Sequence, residues 1–260
     1  MRYEEYPVPP ELAGHLLSVW RFERPADGDG VVQHFVPPDG CVSLAVAAHA
    51  RRPKEAILIG AHDRPLVVPI SPGDRYWGMR FWPDAGAVCL GVDAAAWVGR
   101  SGPAPAHLVA AAAGAVRALD SGAVDEEVRH ALSRWALGSD WATVTLDAPV
   151  RLAVLAIVAS KGAIPVGELP GTVGLTPRTL LRRFRAATGL TLKRYAKVRR
   201  FREAAARHVE APATTWSYIA ADVGYSDHAH LTREFREIHG APPSEVARLI
   251  GRISHGKIRP

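Results

Sequence analysis

Two stretches of this sequence match each other and decide the fold: GLTPRTLLRRFRAATG at residues 174–189 and GYSDHAHLTREFREIHG at residues 224–240. The second copy carries one extra residue near its start, and after it the two copies run in parallel. Phe184 of the first copy then matches Phe235 of the second, 51 residues further along the chain. A repeat of this kind predicts a duplicated structural unit.

Each copy predicts a tight turn followed by a helix, with a short amphipathic helix before the turn. In the first copy, Leu180 and Phe184 are four residues apart, so they form one apolar seam that faces the core. Leu231 and Phe235 do the same in the second copy. The opposite face of each helix is polar and rich in arginine. This arrangement is typical of a helix-turn-helix whose second helix enters the major groove of DNA.

A long helix is predicted between the two copies, in TLKRYAKVRRFREAAARHV at residues 191–209. Thr191 is a suitable N-cap for this helix. Apolar residues recur every three or four positions from Tyr195 to Ala205, and the remaining surface is basic. The segment therefore has the dimensions of a spacer between two smaller units.

The charge of the chain is divided unevenly between its two halves. Residues 1–149 contain 13 Lys+Arg and 18 Asp+Glu, a net charge of −5, whereas residues 150–260 contain 19 and 8, a net charge of +11. Basic side chains neutralise phosphates and release the counterions condensed on a nucleic acid. The distribution therefore favours DNA binding by the C-terminal half, although charged surfaces also occur simply to keep proteins in solution.

Residues 150–252 resemble the DNA-binding domain of the AraC/XylS-type transcriptional regulators. The strongest match is IAADVGYSDHAHLTREFREIHGAPPSEV at residues 219–246, and the first unit matches through LTPRTLLRRFRAATGLTLKRYAKVRR. Leu192 stands where a proline is usual in the family, and Val246 stands where an aromatic residue is usual. The resemblance implies two helix-turn-helix units joined by a long helix, with double-stranded promoter or operator DNA as the partner.

The polar faces of the two second helices hold the candidate DNA contacts. Arginine suits base reading because its planar guanidinium can hold guanine O6 and N7 together. Ala229 stands where a small polar residue is frequent in the family, which favours a contact with a thymine methyl group. The candidate base-reading residues are Arg178, Thr179, Arg182, His228, Ala229, Thr232 and Arg233. The candidate phosphate contacts are Thr176, Arg185, Lys193, Arg194, Ser226 and Arg236, of which Thr176 and Ser226 are also predicted N-caps.

The N-terminal half predicts a different architecture. Short β-branched and aromatic runs, separated by Pro, Gly and Asp, predict strands within residues 1–83, and Ala-rich segments predict helices within 84–137. The predicted strands are residues 31–36, 41–48, 55–60, 65–70 and 75–82. The expected fold class is α+β: a small β-barrel or sandwich followed by helices, then an all-α domain. The expected domains are residues 1–145, which sense a ligand or dimerise, and residues 150–260, which bind DNA. PPDGCVSLAV (37–46) and GMRFWPDAGAVCLGV (78–92) resemble, more weakly, the N-terminal domain of one branch of the family.

A candidate ligand pocket follows from the strand RYWGMRFW at residues 75–82. Strand alternation puts Tyr76, Arg80 and Trp82 on one face, where an arginine between aromatic rings could bind an anionic or aromatic ligand, with Phe35 as a further wall. An equally good interpretation is that Arg80 forms a structural ion pair with Asp39 or Asp84. The sequence leaves both open.

Several other classes of protein are disfavoured by the sequence. No G-x-S-x-G, H-E-x-x-H or phosphate-binding glycine loop is present, so no catalytic residue, cofactor or metal ligand is predicted. The N-terminal residues do not read as a signal peptide, and no apolar run is long enough to cross a bilayer, so a cytoplasmic protein is expected. A small-molecule effector, RNA polymerase and a second copy of the chain are candidate further partners. The alternatives are a ligand-independent repressor or architectural protein whose N-terminal domain only dimerises, and an enzyme fused to a DNA-binding domain.

Overall fold

The computed structural model describes residues 1–49, 54–120, 125–251 and 254–255. Its fold confirms the predicted class, because a sheet-rich N-terminal region and helices are followed by a helical C-terminal region that ends in one short strand. The strands are β1 (Arg2–Tyr6), β2 (Leu16–Glu23), β3 (Val32–Val36), β4 (Ser43–Ala48), β5 (Glu55–Ile59), β6 (Leu66–Ile70), β7 (Arg75–Phe81), β8 (Ser101–Pro103) and β9 (Ser254–His255). The helices are α1 (Gly86–Leu90), α2 (Ala94–Trp97), α3 (Ala106–Asp120), α4 (Asp125–Gly138), α5 (Ala148–Ala159), α6 (Leu169–Val173), α7 (Pro177–Thr188), α8 (Leu192–Glu210), α9 (Trp216–Asp222), α10 (His228–His239) and α11 (Pro243–Gly251).

The strands form a sandwich and not a closed barrel. Seven of them make one sheet in the order β8-β5-β4-β7-β2-β1-β9, and β3 pairs with β6 in a separate two-stranded ribbon. Trp77, Met79 and Phe81 of β7 are buried on the face that packs against the helices. Tyr76 lies on the opposite face, in a smaller apolar cluster that the ribbon covers. The alternation read from residues 75–82 therefore places Tyr76 correctly. It is wrong for Trp82, which follows the end of β7 and packs against the cluster on the other face.

The predicted strands and helices agree well with the structure, but four strands were not predicted: β1, β2, β8 and β9, of which β9 pairs with β1 at one edge of the sheet. The strand β2 was not predicted because both of its faces are covered, so buried and exposed residues alternate only weakly along it. The short strand β8 lies within a region predicted to be helical, where it closes the edge of the sheet beside β5. The helix α5 begins at Ala148, two residues before the predicted start of the DNA-binding domain at residue 150, because the Asp147 side chain accepts a hydrogen bond from the Val150 amide as its N-cap.

The two helix-turn-helix units relate differently to the N-terminal half. One continuous hydrophobic core runs from Leu12 of the N-terminal region to Ala196 in α8 and includes Leu180 and Phe184 of α7. The second unit has a core of its own, which extends from Phe201 to Ile250. The predicted boundary near residues 145–150 therefore marks the start of α5 but not a gap in the packing. None of the described helices combines the length and apolar character that a bilayer-spanning segment needs.

Two matching glycines end the second helix of each unit, and they should respond differently to substitution. Gly189 and Gly240 both have positive φ, +75° and +82°. A Cβ at Gly189 would lie 2.4 Å from Val98 Cγ2 and 2.7 Å from the Ala94 carbonyl oxygen, whereas a Cβ at Gly240 would meet no described heavy atom within 4 Å. We expect Gly240→Ala to cost about 1–2 kcal/mol from backbone strain alone. Gly189→Ala should cost a further ~1–3 kcal/mol from overlap.

Urea unfolding of the two full-length variants measures this difference. Equal losses of unfolding free energy would show that α7 does not pack against α2 as closely as these distances require.

Candidate DNA-binding surface and ligand cavity

The second helix of each unit presents a free cationic face. In α7, Leu180 and Phe184 are fully buried, while Arg178, Arg182 and Arg185 are exposed. Thr176 is the N-cap of this helix, as predicted, and its Oγ1 accepts a hydrogen bond from the Thr179 amide at 3.3 Å. Thr179 itself is half-buried. Within the described parts of the chain, none of the three exposed arginines forms an ion pair, so their charges are available to a partner.

The helix α10 repeats this arrangement in the second unit. Leu231, Phe235 and Ile238 are buried, and the other face carries the predicted contacts. Exposed side chains on that face are His228, Ala229, Arg233 and Arg236, while Thr232 is half-buried. Neither the polar face of α7 nor that of α10 is covered by the rest of the described chain.

The N-cap of α10 corrects one prediction. Asp227, and not Ser226, caps the helix, and its Oδ1 accepts a hydrogen bond from the His230 amide at 2.6 Å. The extra residue in the second copy moves the cap by one position, and a carboxylate accepts more strongly than a hydroxyl. Ser226 remains exposed, with its Oγ 3.2 Å from His230 Nδ1.

The two candidate phosphate contacts at the start of α8 differ in their surroundings. Lys193 is exposed and forms no ion pair with any described residue. Arg194 is engaged on both sides: its Nε donates to Asp63 Oδ2 at 2.5 Å and its NH1 donates to Glu237 Oε1 at 2.6 Å. Arg194 therefore joins the N-terminal half to α10, and contact with a phosphate would require these bonds to open.

A cavity of about 270 Å³ lies between the seven-stranded sheet and the β3–β6 ribbon. Its walls are mainly apolar and include Trp20 and Phe22 of β2 and Tyr76 of β7. One end is charged: Glu5 and Asp39 lie there with Arg80 of β7 and Arg202 of α8. An apolar concavity with a few charged groups at one end is the usual form of a small-molecule site.

Of the four residues predicted to line a ligand pocket, two line the cavity and two do not. Tyr76 and Arg80 line the cavity. Phe35 does not, because β3 pairs with β6 and its outward face turns Phe35 toward the ring of His239. Trp82 does not line the cavity either. It follows the end of β7, and its Nε1 donates to the Ala13 carbonyl oxygen at 2.9 Å.

The charge of Arg80 is already balanced within the protein. Its NH1 donates to Glu5 Oε1 at 2.6 Å, its Nε lies 2.9 Å from Asp39 Oδ2, and its NH2 donates to the Tyr3 hydroxyl at 2.9 Å. Burial alone would raise the pKa of the Asp39 carboxyl, but Arg80, followed by His62, holds that pKa below its usual range. The alternative ion pair with Asp39 thus exists, while Asp84 pairs with Arg151 at 2.8 Å instead.

Arg202 is the functional candidate that the sequence analysis missed. It follows Phe201 directly in α8 and lies four residues after Val198, so it borders the apolar seam of that helix. A cation beside a seam faces the element packed against the helix, and this position was the available signal.

Within the described parts of the chain, no group of three or more His, Cys, Asp and Glu side chains could hold a metal ion.

Comparison with known proteins identifies the C-terminal region. A family model described as a helix-turn-helix domain matches residues 171–249. The transcriptional activator RhrA of Rhizobium meliloti (strain 1021) is 32% identical over 91 residues, which are 35% of this chain and 29% of RhrA. The C-terminal region is an AraC-type helix-turn-helix domain. This AraC-type domain contains α7 and α10 with the exposed polar faces described above. A second model, described as a domain of unknown function (DUF6597), matches residues 4–103, which include the cavity walls from the sheet.

Solved structures with related folds are more distant. ToxT from Vibrio cholerae is 8% identical with a TM-score of 0.44, covering 96% of this chain and 99% of ToxT. The C-terminal domain of AraT, a response regulator from Geobacillus stearothermophilus, is 19% identical with a TM-score of 0.38, covering 45% of this chain and 95% of that domain. Neither similarity is high enough to assign a ligand or a site to this chain.

Proposed function

We propose that this protein is a sequence-specific DNA-binding transcriptional regulator whose AraC-type domain reads two successive major grooves. The observation that carries the proposal is the pair of exposed, unpaired arginine faces on α7 and α10, joined by a single helix. That helix, α8, has 19 residues and is about 28 Å long. One turn of B-DNA is ~34 Å, so a rigid connector of this length suits two recognition helices on one side of the duplex.

Within this proposal, the exposed residues divide into two kinds of contact. Arg178, Arg182 and Arg233 read base edges, since each projects from the first turns of a helix that points its polar face outward. Lys193, Arg185 and Arg236 bind phosphates and set the position of the protein on the duplex. Thr179, His228, Ala229 and Thr232 complete the base-reading faces.

Arg233→Ala and Lys193→Ala test this division. Operators are first selected from random DNA with the full-length protein, and affinities are then measured by fluorescence anisotropy at several salt concentrations. Arg233→Ala should weaken the selected operator by about 1–3 kcal/mol and relax the preference at one base pair. Lys193→Ala should weaken all sequences alike and lower the salt slope by about 1.

Both side chains are exposed, so the thermal stability of each variant should match that of the parent protein. Unchanged affinity and selectivity in both variants would contradict the assigned contacts. Failure of the full-length protein to enrich any DNA sequence would contradict the proposed function itself.

We further propose that a small molecule in the sandwich cavity controls DNA binding. The cavity supports this because one of its lining residues, Arg202, belongs to α8, the helix that joins the two recognition units. A thermal-shift screen of metabolites on the full-length protein, followed by operator titrations, distinguishes this from the ligand-independent alternative. A compound that binds but leaves operator affinity unchanged would favour the latter. The homodimer and the contact with RNA polymerase stay predictions.

A further inference from the structure

The cavity contains a half-buried cation that has no carboxylate within 4 Å among the described residues. This cation is Arg202 of α8, which lines the cavity together with Arg80, Glu5 and Asp39. Arg80, facing it, has Glu5, Asp39 and Tyr3 as partners. Arg202 forms no hydrogen bond or ion pair with any residue that the structure describes.

A second arginine increases this imbalance. Arg199, one turn before Arg202 in α8, also has no carboxylate within 4 Å among the described residues, and its buried Nε has no hydrogen-bond acceptor. Both arginines line a smaller cavity of about 40 Å³ that adjoins the first. Three arginines thus share two carboxylates, Glu5 and Asp39. The other two carboxylates that line these cavities have partners elsewhere: Glu55 lies 3.3 Å from His49, and Glu203 pairs with Lys161 and Arg207. An unpaired cation away from bulk water is costly, so an anion from solution would find a favourable site here.

The rest of the cavity indicates what else the anion carries. Beyond the charged end the walls are aromatic and aliphatic, with Trp20, Phe22, Ile57, Ile70 and Tyr76 among them. The volume is slightly below the ~300–1,000 Å³ typical of small-molecule sites, so the ligand is compact. A simple inorganic anion would leave these apolar walls empty.

We propose that the cavity binds a small carboxylate with an apolar body and that Arg202 binds the carboxylate group. The planar guanidinium presents two parallel N–H donors to the two carboxylate oxygens, the geometry in which arginine binds such groups best. The apolar body lies between the sheet and the β3–β6 ribbon. This inference rests on the proposed role of the cavity as an effector site and specifies the chemistry of the effector.

The first test needs no ligand. Arg202 is half-buried and has no ion-pair partner among the described residues, so replacing its charge with an apolar side chain should stabilise the protein. Arg202→Met should raise the Tm of the ligand-free full-length chain by about 1–3 °C. Arg194→Met is the matched control, since Arg194 lies on the same helix but is paired with Asp63 and Glu237. We expect it to lower the Tm. A decrease for Arg202→Met as well would show that Arg202 has a structural partner, which would overturn the proposal.

The second test uses matched probes with the full-length protein in isothermal titration calorimetry. The carboxylates are 3-phenylpropanoate, 4-phenylbutanoate, indole-3-acetate and octanoate, each compared with its uncharged primary amide. At least one carboxylate should bind roughly 10–100-fold more tightly than its amide. This preference should disappear in Arg202→Met and be partly retained in Arg202→Lys.

Three results would overturn the proposal: amides that bind as tightly as carboxylates, a carboxylate preference that survives in Arg202→Met, or no binding by any carboxylate. Operator affinity is measured on the same preparations. Intact DNA binding with no carboxylate binding would reject the ligand class alone, and loss of sequence-selective DNA binding in the parent protein would reject the proposed function.

Discussion

Arg200→Met is expected to destabilise the second helix-turn-helix unit by about 3 kcal/mol, because it leaves the buried carboxylate of Glu234 with only Lys197, whose Nζ lies 4.0 Å from Oε2, as a cation. Glu234 of α10 is only 3% exposed. Arg200 of α8 binds it with two hydrogen bonds, Nε to Oε1 at 3.2 Å and NH2 to Oε2 at 3.1 Å. The Tyr225 hydroxyl donates to Glu234 Oε1 at 2.9 Å, and the Arg200 guanidinium lies over the Tyr225 ring.

The loss should be confined to one part of the molecule. The second unit has its own hydrophobic core, so it can unfold while the first unit stays packed against the N-terminal half. Urea unfolding followed by hydrogen exchange should show α9, α10 and α11 losing protection first. Operator titrations should show that contacts made by α10 are lost before those made by α7.

Two variants serve as controls for this prediction. Arg207→Met removes another arginine of α8, which pairs with Glu203 and with Asp222. Arg207 and Asp222 are each about one-third exposed and Glu203 keeps Lys161 as a partner, so the cost should not exceed about 1 kcal/mol. Combining Arg200→Met with Glu234→Gln should recover most of the loss, because the amide still accepts from Tyr225 and carries no charge. Equal costs for Arg200→Met and Arg207→Met would contradict the prediction.

Arg80→Met should be similarly severe, at about 3–5 kcal/mol, but in the N-terminal sandwich. It would leave both Glu5 and Asp39 buried without their shared cation, since their side chains are 5% and 9% exposed. The opposite responses of Arg80→Met and Arg202→Met, one destabilising and one stabilising, would separate the structural arginine of the cavity from the ligand-binding one. A small effect of Arg80→Met would show that Arg202 can replace it as the partner of Asp39.

The cost of Arg80→Met should also depend on pH. In the parent protein the pKa of Asp39 is lowered, so its stabilising contribution is complete at neutral pH and is lost only as the pH falls below the ordinary value of 3.8. Without Arg80, burial dominates and raises that pKa, so protonation at mildly acidic pH relieves the buried charge. The difference in unfolding free energy between the two proteins should therefore narrow from pH 7 to pH 5. A constant difference would show that Asp39 finds another cation.

The recognition helices could be predicted from sequence because their determinants are local. The four-residue spacing of Leu180 and Phe184, repeated in Leu231 and Phe235, sets which face is buried, and everything else on the helix must then face outward. The alternation along β7 is local in the same sense, so Tyr76 and Arg80 were placed on the correct face. The prediction of the N-cap of α10 was wrong because the two copies differ in length by one residue at that position.

The cavity and the ion pairs around it depend on residues far apart in the chain. Arg80 of β7 and Arg202 of α8 line the same cavity although they are far apart in the chain. Arg194 joins Asp63 to Glu237 across segments that no periodicity connects. By itself, the sequence determined two helix-turn-helix units with free arginine faces, since helix faces and caps are set by neighbours a few residues away. Only the tertiary structure decided that the first unit shares its core with the sandwich and that Arg202 has no ion-pair partner among the described residues. The physical reason is that the choice of charge partners depends on how whole elements pack.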